Sequence, residues 1–307
     1  MQLLSNGAPL YEIVQKFLAS EEFRCKGPVG IVYEPPPANA IEIELSPSQK
    51  QYLWQHVTSI WNKLGKDEPY WSVMEEDRFR VANISHEDAI DCFYESGRFD
   101  IDRAERFLVR NGCRLPQTGF CLDYGCGLGR TTLWLARRCE RVLAVDVSPA
   151  HLDLAREALA ARGVRNVEFR LLRSPHDLAA LRGFDFFHSL LVLQHNPPPV
   201  IADILSMAFA GLNPGGAALF QVPTFGMDYS WHIDTYVRET VPYQQAEMHV
   251  LPQSVIFDLA VNAGCIPMEV AYDFYSGMPN WISNTFVFFK PGAASPLPVS
   301  GRQGPAR

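Results

Sequence analysis

The chain has 307 residues, 47% of them hydrophobic and 20% charged, with a formal net charge of −7. That composition belongs to a globular chain with a real core, and the acidic balance argues against a broad nucleic-acid-binding face. Its seven cysteines are scattered, with no CxxC pair and no zinc-spaced Cys/His cluster, so they read as reduced thiols and no metal is expected.

The first stretch, MQLLSNGAPLYEIV, lacks the basic and apolar regions of a signal peptide. No apolar run approaches the ~20 residues that span a bilayer, so a soluble, cytoplasmic protein without a membrane span is expected. Residues 1–112 read as a helical N-terminal region. Ile13, Val14, Phe17 and Leu18 make one stripe. Ser46-Pro47 is a helix start, and Leu53, Val57, Ile60 and Leu64 follow at helical spacing. ISHEDAIDCFYESG and DIDRAERFLVRNG supply two more helices, each ending near a glycine.

Residues 113–291 change to short apolar runs alternating with amphipathic helices. FCLDY, RVLAVDV, VEFRLL, FDFFHSLLVL and AALFQVP read as strands, with helical stripes at Leu152-Ala155-Leu159 and from Ile201 to Leu212. Such alternation predicts an α/β fold with a parallel, Rossmann-like sheet covered on both faces. The tail, 292–307, is rich in Pro, Gly, Ser and Ala without periodicity and is expected to be disordered.

Between the first predicted strand and its helix lies CLDYGCGLGR, residues 121–130. Gly125, Gly127 and Gly129 suit either a plain turn or a loop that brings backbone N–H groups against a ligand. The spacing is G-x-G-x-G rather than the dinucleotide G-x-G-x-x-G. Asp123 stands before the loop, where a carboxylate can meet an amine. Asp146 ends the second strand, where a carboxylate can accept both hydroxyls of a ribose.

D-Y-G-C-G-L-G-R followed by V-L-A-V-D-V-S resembles the first two motifs of class I S-adenosylmethionine-dependent methyltransferases. GFDFFHSLLVLQH, LNPGG, LPQSVIFDLAVNAGC and WISNTFVFFKP are similar to later segments of that family, so the resemblance covers roughly residues 120–291. It implies a seven-stranded sheet, parallel except for the last strand, and S-adenosyl-L-methionine as cofactor. It further implies that Asp123, Gly125, Cys126, Gly127, Gly129 and Arg130 surround the methionine part and that Asp146 and Val147 hold the ribose side. Where the family often has an acidic and a small residue against the adenine, this chain has Arg173-Ser174-Pro175-His176-Asp177, leaving Ser174 or Asp177 for that role.

HNPPPV, residues 195–200, shares Asn-Pro-Pro with enzymes that methylate amino groups. LVLQH separates it from the strand, however, and Pro199 stands where that signature has an aromatic residue. Asn196 and the prolines are read instead as a helix cap and first turn. His195 is a candidate general base for a hydroxyl acceptor, or simply a histidine bonded to the helix start. The insertion 225–250 offers Tyr229, Trp231, Tyr236 and Tyr243 to stack on an acceptor and Asp228, His232 and Asp234 to bind hydroxyls or act as base; a lid or dimer contact is the other reading. Asp228 and His232 are the candidate bases there. PYWSV (69–73) and CFYESGRF (92–99) resemble segments before the core of sugar- and polysaccharide-associated bacterial methyltransferases, and FLASEEFR (17–24) a short helix beside glycan-modifying enzymes. The expectation is methyl transfer to oxygen of a small molecule: a sugar, glycolipid intermediate or secondary metabolite. The N-terminal region would cap the site. N-methylation of a small amine or protein, or a non-catalytic cofactor-binding module, are the alternatives. No nucleic-acid partner is expected, and the oligomeric state is open.

Overall fold

Short Val-, Leu- and Phe-rich runs that must bury both faces can do so only inside a sheet covered by helices. The computed structural model, which describes residues 40–84, 87–239 and 246–292, realises this with seven strands. They are β1 Phe120–Tyr124, β2 Arg141–Asp146, β3 Val167–Leu171, β4 Phe184–Ser189, β5 Leu212–Gly226, β6 Ile266–Asp273 and β7 Trp281–Phe289. The spatial order is β3-β2-β1-β4-β5-β7-β6. β7 runs antiparallel to both neighbours and the other pairings are parallel. The expected sheet, with only its last strand reversed, is the one observed.

The helices are α1 Pro47–Asp67, α2 Glu87–Arg110, α3 Thr132–Ala136, α4 Pro149–Ala161, α5 Pro175–Ala179, α6 Pro198–Gly211, α7 Ile233–Glu239 and α8 Gln253–Asn262. Consecutive residues of a strand point to opposite faces, so Phe187 and Phe186 enter different cores. Phe187 packs with Phe184, Phe209, Phe220, Phe286 and Phe288, and Phe186 with Phe93, Leu108, Leu135 and Val287. α1 begins as expected at Ser46, with a full capping box: Gln49 N–H donates to Ser46 Oγ at 3.3 Å and Ser46 N–H to Gln49 Oε1 at 2.9 Å. Its stripe Leu53, Val57, Ile60 and Leu64 is buried.

Three sequence expectations need correction. The two helices foreseen around Gly97 are one, α2, which runs through the glycine. A Cβ at Gly97 would stand 2.1 Å from the carbonyl oxygen of Arg130, so the glycine permits close packing on the loop after β1 rather than a helix end. The run FDFFHSLLVL is strand only to Ser189; Leu191 then turns at φ 59, and Leu193–His195 form a 3₁₀ turn. Third, α6 does begin at the prolines, but its cap is Pro197 and not Asn196. The stripe at Ile13–Leu18, the segment 17–24, Tyr243 and the tail from 293 onward lie outside the described residues. No helix among the described residues is long and apolar enough to cross a membrane.

Candidate active site

Parallel strands all deliver their carboxyl ends to one edge of the sheet, and ligands of open α/β sheets collect there. A cavity of about 810 Å³ lies at that edge. Its size is near the top of the ~300–1,000 Å³ spanned by ligand pockets, room enough for two partners. Tyr124, Gly125, Gly127, Asp146, Val147 and Leu172 form one wall, and Leu190, Leu191, Val192, Gln194, His195 and Asn196 another. Val57 and Trp61 of α1 and the segment Trp71–Glu75, with Arg80, cover it. Ala246, Met248 and Tyr275–Met278 complete the rim.

Gly125 and Gly127 have φ of +72° and +51°, a region open to glycine. A Cβ at Gly125 would meet Val192 at 2.3 Å and one at Gly127 would touch Val73 at 3.0 Å. The loop is therefore pressed directly beneath side chains of the cavity. Asp146 holds it there: Oδ2 accepts the Gly127 N–H and Oδ1 the Ser148 N–H, both at 2.8 Å. A carboxylate has about four lone-pair sites, so two remain for a ligand at the wall.

The tautomer of His195 follows from its neighbours. A backbone N–H can only donate, so the Leu191 N–H at 3.2 Å makes Gln221 Oε1 an acceptor. Gln221 Nε2 must then donate to Gln194 Oε1 at 2.9 Å, and Gln194 Nε2 to His195 Nε2 at 3.2 Å. His195 Nδ1 carries the proton, donated to the Glu247 carbonyl at 2.8 Å, which is consistent from the other end. Burial pushes the ring's pKa down to about 4, so it is neutral at pH 7. Its lone pair is already engaged by Gln194.

Segment 246–250 is anchored through Glu247. Its carboxylate accepts from His56 Nε2 at 3.0 Å, His249 Nε2 at 2.9 Å and Tyr236 Oη at 2.7 Å. Burial by itself would raise this carboxyl, but these donors outweigh it and hold it well below the usual carboxylate range.

Residues 121–216 match the family model for a methyltransferase domain. The magnesium protoporphyrin IX methyltransferase of Synechocystis PCC 6803, solved with bound SAH, superposes with a TM-score of 0.53 at 17% identity, over 77% of this chain and 98% of that one. Residues 121–216 are thus a methyltransferase domain, carried on the fold of the class I S-adenosylmethionine-dependent enzymes. Two similar curated proteins are a carboxy-S-adenosyl-L-methionine synthase of Trichlorobacter lovleyi, 35% identical over 34% of this chain and 44% of that protein, and a magnesium-protoporphyrin O-methyltransferase of Rhodobacter capsulatus, 36% identical over 31% and 39%. The chain thus spans less than half the length of these relatives.

Within the methyltransferase domain, Gly125, Gly127, Arg130, Asp146 and Val147 are on the cavity wall. Other candidates are not, for local reasons. Asp123 lies behind the loop, where His188 Nδ1 holds Oδ1 at 2.8 Å and Thr132 Oγ1 donates to Oδ2 at 2.6 Å. Cys126 packs into the core beside Ala144 and Leu152. Gly129 faces α4, since a Cβ there would be 2.8 Å from Leu159. Ser174 caps α5 through the Asp177 N–H, and Asp177 in turn accepts from Arg173 N–H at 2.8 Å, so neither reaches the cavity. Leu172 stands on the wall instead.

Most of the insertion stands away from the cavity, contrary to the sequence expectation. Asp228, His232 and Asp234 are exposed to solvent. Trp231 is buried in the core, with Tyr229 and Tyr236 packed against the same cluster. Only Ala246 and Met248 of the insertion line the cavity. Asn196 does line it, buried, with Nδ2 donated to the Val192 carbonyl at 2.9 Å rather than capping a helix. Trp61, Trp71, Arg80 and Gln194 were not singled out as site residues. Trp71 lies within PYWSV, a segment whose sequence carries only a resemblance and no assigned place in the site.

Proposed function

We propose that this chain binds S-adenosylmethionine in the cavity and transfers its methyl group to an oxygen of a small molecule: a sugar, glycolipid intermediate or secondary metabolite. The supporting observation is the Asp146 carboxylate, fixed by two backbone N–H groups on the cavity wall beside a glycine loop that has no room for side chains. When bound, the cofactor supplies a sulfonium-linked, electrophilic methyl group. The protein's share is to orient cofactor and acceptor in line and to exclude water, which accounts for much of the acceleration in such displacements. Trp61, Met74 and Met248 provide apolar walls for that purpose. The resemblance of PYWSV to sugar-associated enzymes supports the sugar reading, since this segment roofs the cavity.

Calorimetry with S-adenosylhomocysteine tests the cofactor. Asp146→Asn should bind it about 10- to 100-fold more weakly, as for lost hydrogen bonds to a charged acceptor of roughly 1.5–3 kcal/mol. Undetectable binding by the natural protein, or equal binding by the variant, overturns the reading. Release of S-adenosylhomocysteine across an acceptor panel tests turnover, and binding without turnover would favour a non-catalytic module. A nitrogen acceptor is the second reading, favoured by the engaged lone pair of His195, because an amine needs less help from a base.

A further inference from the structure

We propose that Arg80, held over the ring of Trp71, binds a negatively charged group of the methyl acceptor, a phosphate or a carboxylate; this rests on the methyltransferase reading of the cavity. The guanidinium carbon is 4.1 Å from the Trp71 ring centroid, and both residues line the cavity. A guanidinium held over a ring can still present its N–H edges to two oxygens. Those edges are underused. Nε has Asp77 Oδ1 at a long 3.4 Å, on a side chain 92% exposed and therefore screened by water. Nη1 is 3.8 Å from Glu68 Oε1, beyond hydrogen-bond reach, while Glu68 Oε2 takes the Val81 N–H at 2.8 Å. Neither Nη makes a hydrogen bond among the described residues.

Arg130, another guanidinium on the wall, is different. It is buried against Asp100 at 2.5 Å and Ser96 at 3.1 Å, so its charge already has a partner. Arg80 is also held in place by its backbone. Phe79 beside it is fully buried, and the Arg80 carbonyl accepts from the Asn83 and Ile84 N–H groups at 2.8 and 2.9 Å. Besides Asp146, the acid on the wall is Glu75, which is exposed. Arg80 is thus a half-exposed cation whose two neighbouring carboxylates engage it only at 3.4 and 3.8 Å, and whose shielding by the Trp71 ring strengthens its pull on an anion relative to open water.

The test titrates the protein, saturated with S-adenosylhomocysteine, with glucose 1-phosphate, glucuronate, phenyl phosphate and benzoate. Glucose and benzyl alcohol serve as neutral counterparts, and tryptophan fluorescence and calorimetry as readouts. At least one class of anion should saturate and bind ten or more times tighter than its neutral counterpart. The class that does so identifies phosphate or carboxylate. Arg80→Gln should abolish the preference and Arg80→Lys retain part of it, with thermal melts confirming that both fold. Equal binding of neutral and charged probes, unchanged anion binding in Arg80→Gln, or no saturation by any anion overturns the proposal. So does a loss in Arg80→Gln confined to S-adenosylhomocysteine affinity, which would assign Arg80 to the cofactor's own carboxylate. If the natural protein fails to bind S-adenosylhomocysteine, the cofactor reading falls separately, and the same titration on cofactor-free protein still decides the role of Arg80.

Discussion

The protonation of His195 is set by its surroundings rather than by the ordinary chemistry of imidazole. An unfolded histidine takes up a proton below about pH 6.5, whereas burial lowers this ring to about 4 in the folded chain. Between those values the unfolded state holds more protons, so His195 makes stability fall as pH drops from about 6.5 towards 4 and contributes no pH dependence above that window. Urea denaturation of His195→Gln should lack this component. Turnover should likewise show no His195-dependent rise between pH 6 and 8, in contrast to the increase through the histidine's titration that its sequence position suggests. A rate that climbs near pH 6.5 in the natural protein but not in His195→Gln would mean that the ring titrates freely and that the bond from Gln194 is not maintained.

At the scale of elements, α2 shows how a glycine can be misread. Glycine lowers helix stability by roughly 0.5–1 kcal/mol relative to alanine, so in sequence Gly97 reads as a helix end. The helix continues because the cost is offset by contact: its axis comes within reach of the Arg130 backbone, where a Cβ would lie 2.1 Å from the carbonyl oxygen and 2.7 Å from its carbon. Gly97→Ala should therefore destabilise the protein by about 1–3 kcal/mol, the range of overpacked cores, although alanine is the better helix former. S-adenosylhomocysteine affinity should fall with it, since Arg130 directly follows the glycine loop. A Gly97→Ala protein more stable than the natural one would show that α2 can move away at no cost.

For the whole molecule, the cavity depends on segments distant in sequence being held together at one sheet edge. Glu247 is one of the ties. Its carboxylate joins His56 of α1, Tyr236 of α7 and His249 of its own segment, while its carbonyl orients His195. Replacing the charge by an amide in Glu247→Gln removes the ionic component of three hydrogen bonds at a side chain only 13% exposed. The expected loss is about 1.5–3 kcal/mol, read by urea denaturation. S-adenosylhomocysteine affinity should change little, because Asp146 and the glycine loop are held by other contacts. Equal loss of both would show that the tie supports the cofactor wall as well.

Local signals were legible in sequence where the chemistry is local. Strand-helix alternation, the Ser46 cap and the positive-φ glycines depend on neighbours a few residues away, and they led to the sheet, the start of α1 and the loop at Asp146. Side-chain direction is another matter, because it is set by partners far along the chain. Asp123 turns from the cavity because His188 and Thr132 take its oxygens, and Ser174 because a helix start needs its hydroxyl. The aromatic residues of the 225–250 insertion look like a binding surface in sequence, yet Trp231 is buried because its backbone pairs beside Ile41 and its ring has the core to fill. Conversely, Arg80 and Trp71 carry no motif-level sign of belonging together. Only the fold lays one on the other at the cavity wall, since a stacked pair is a property of two surfaces brought together and not of either residue's place in the chain.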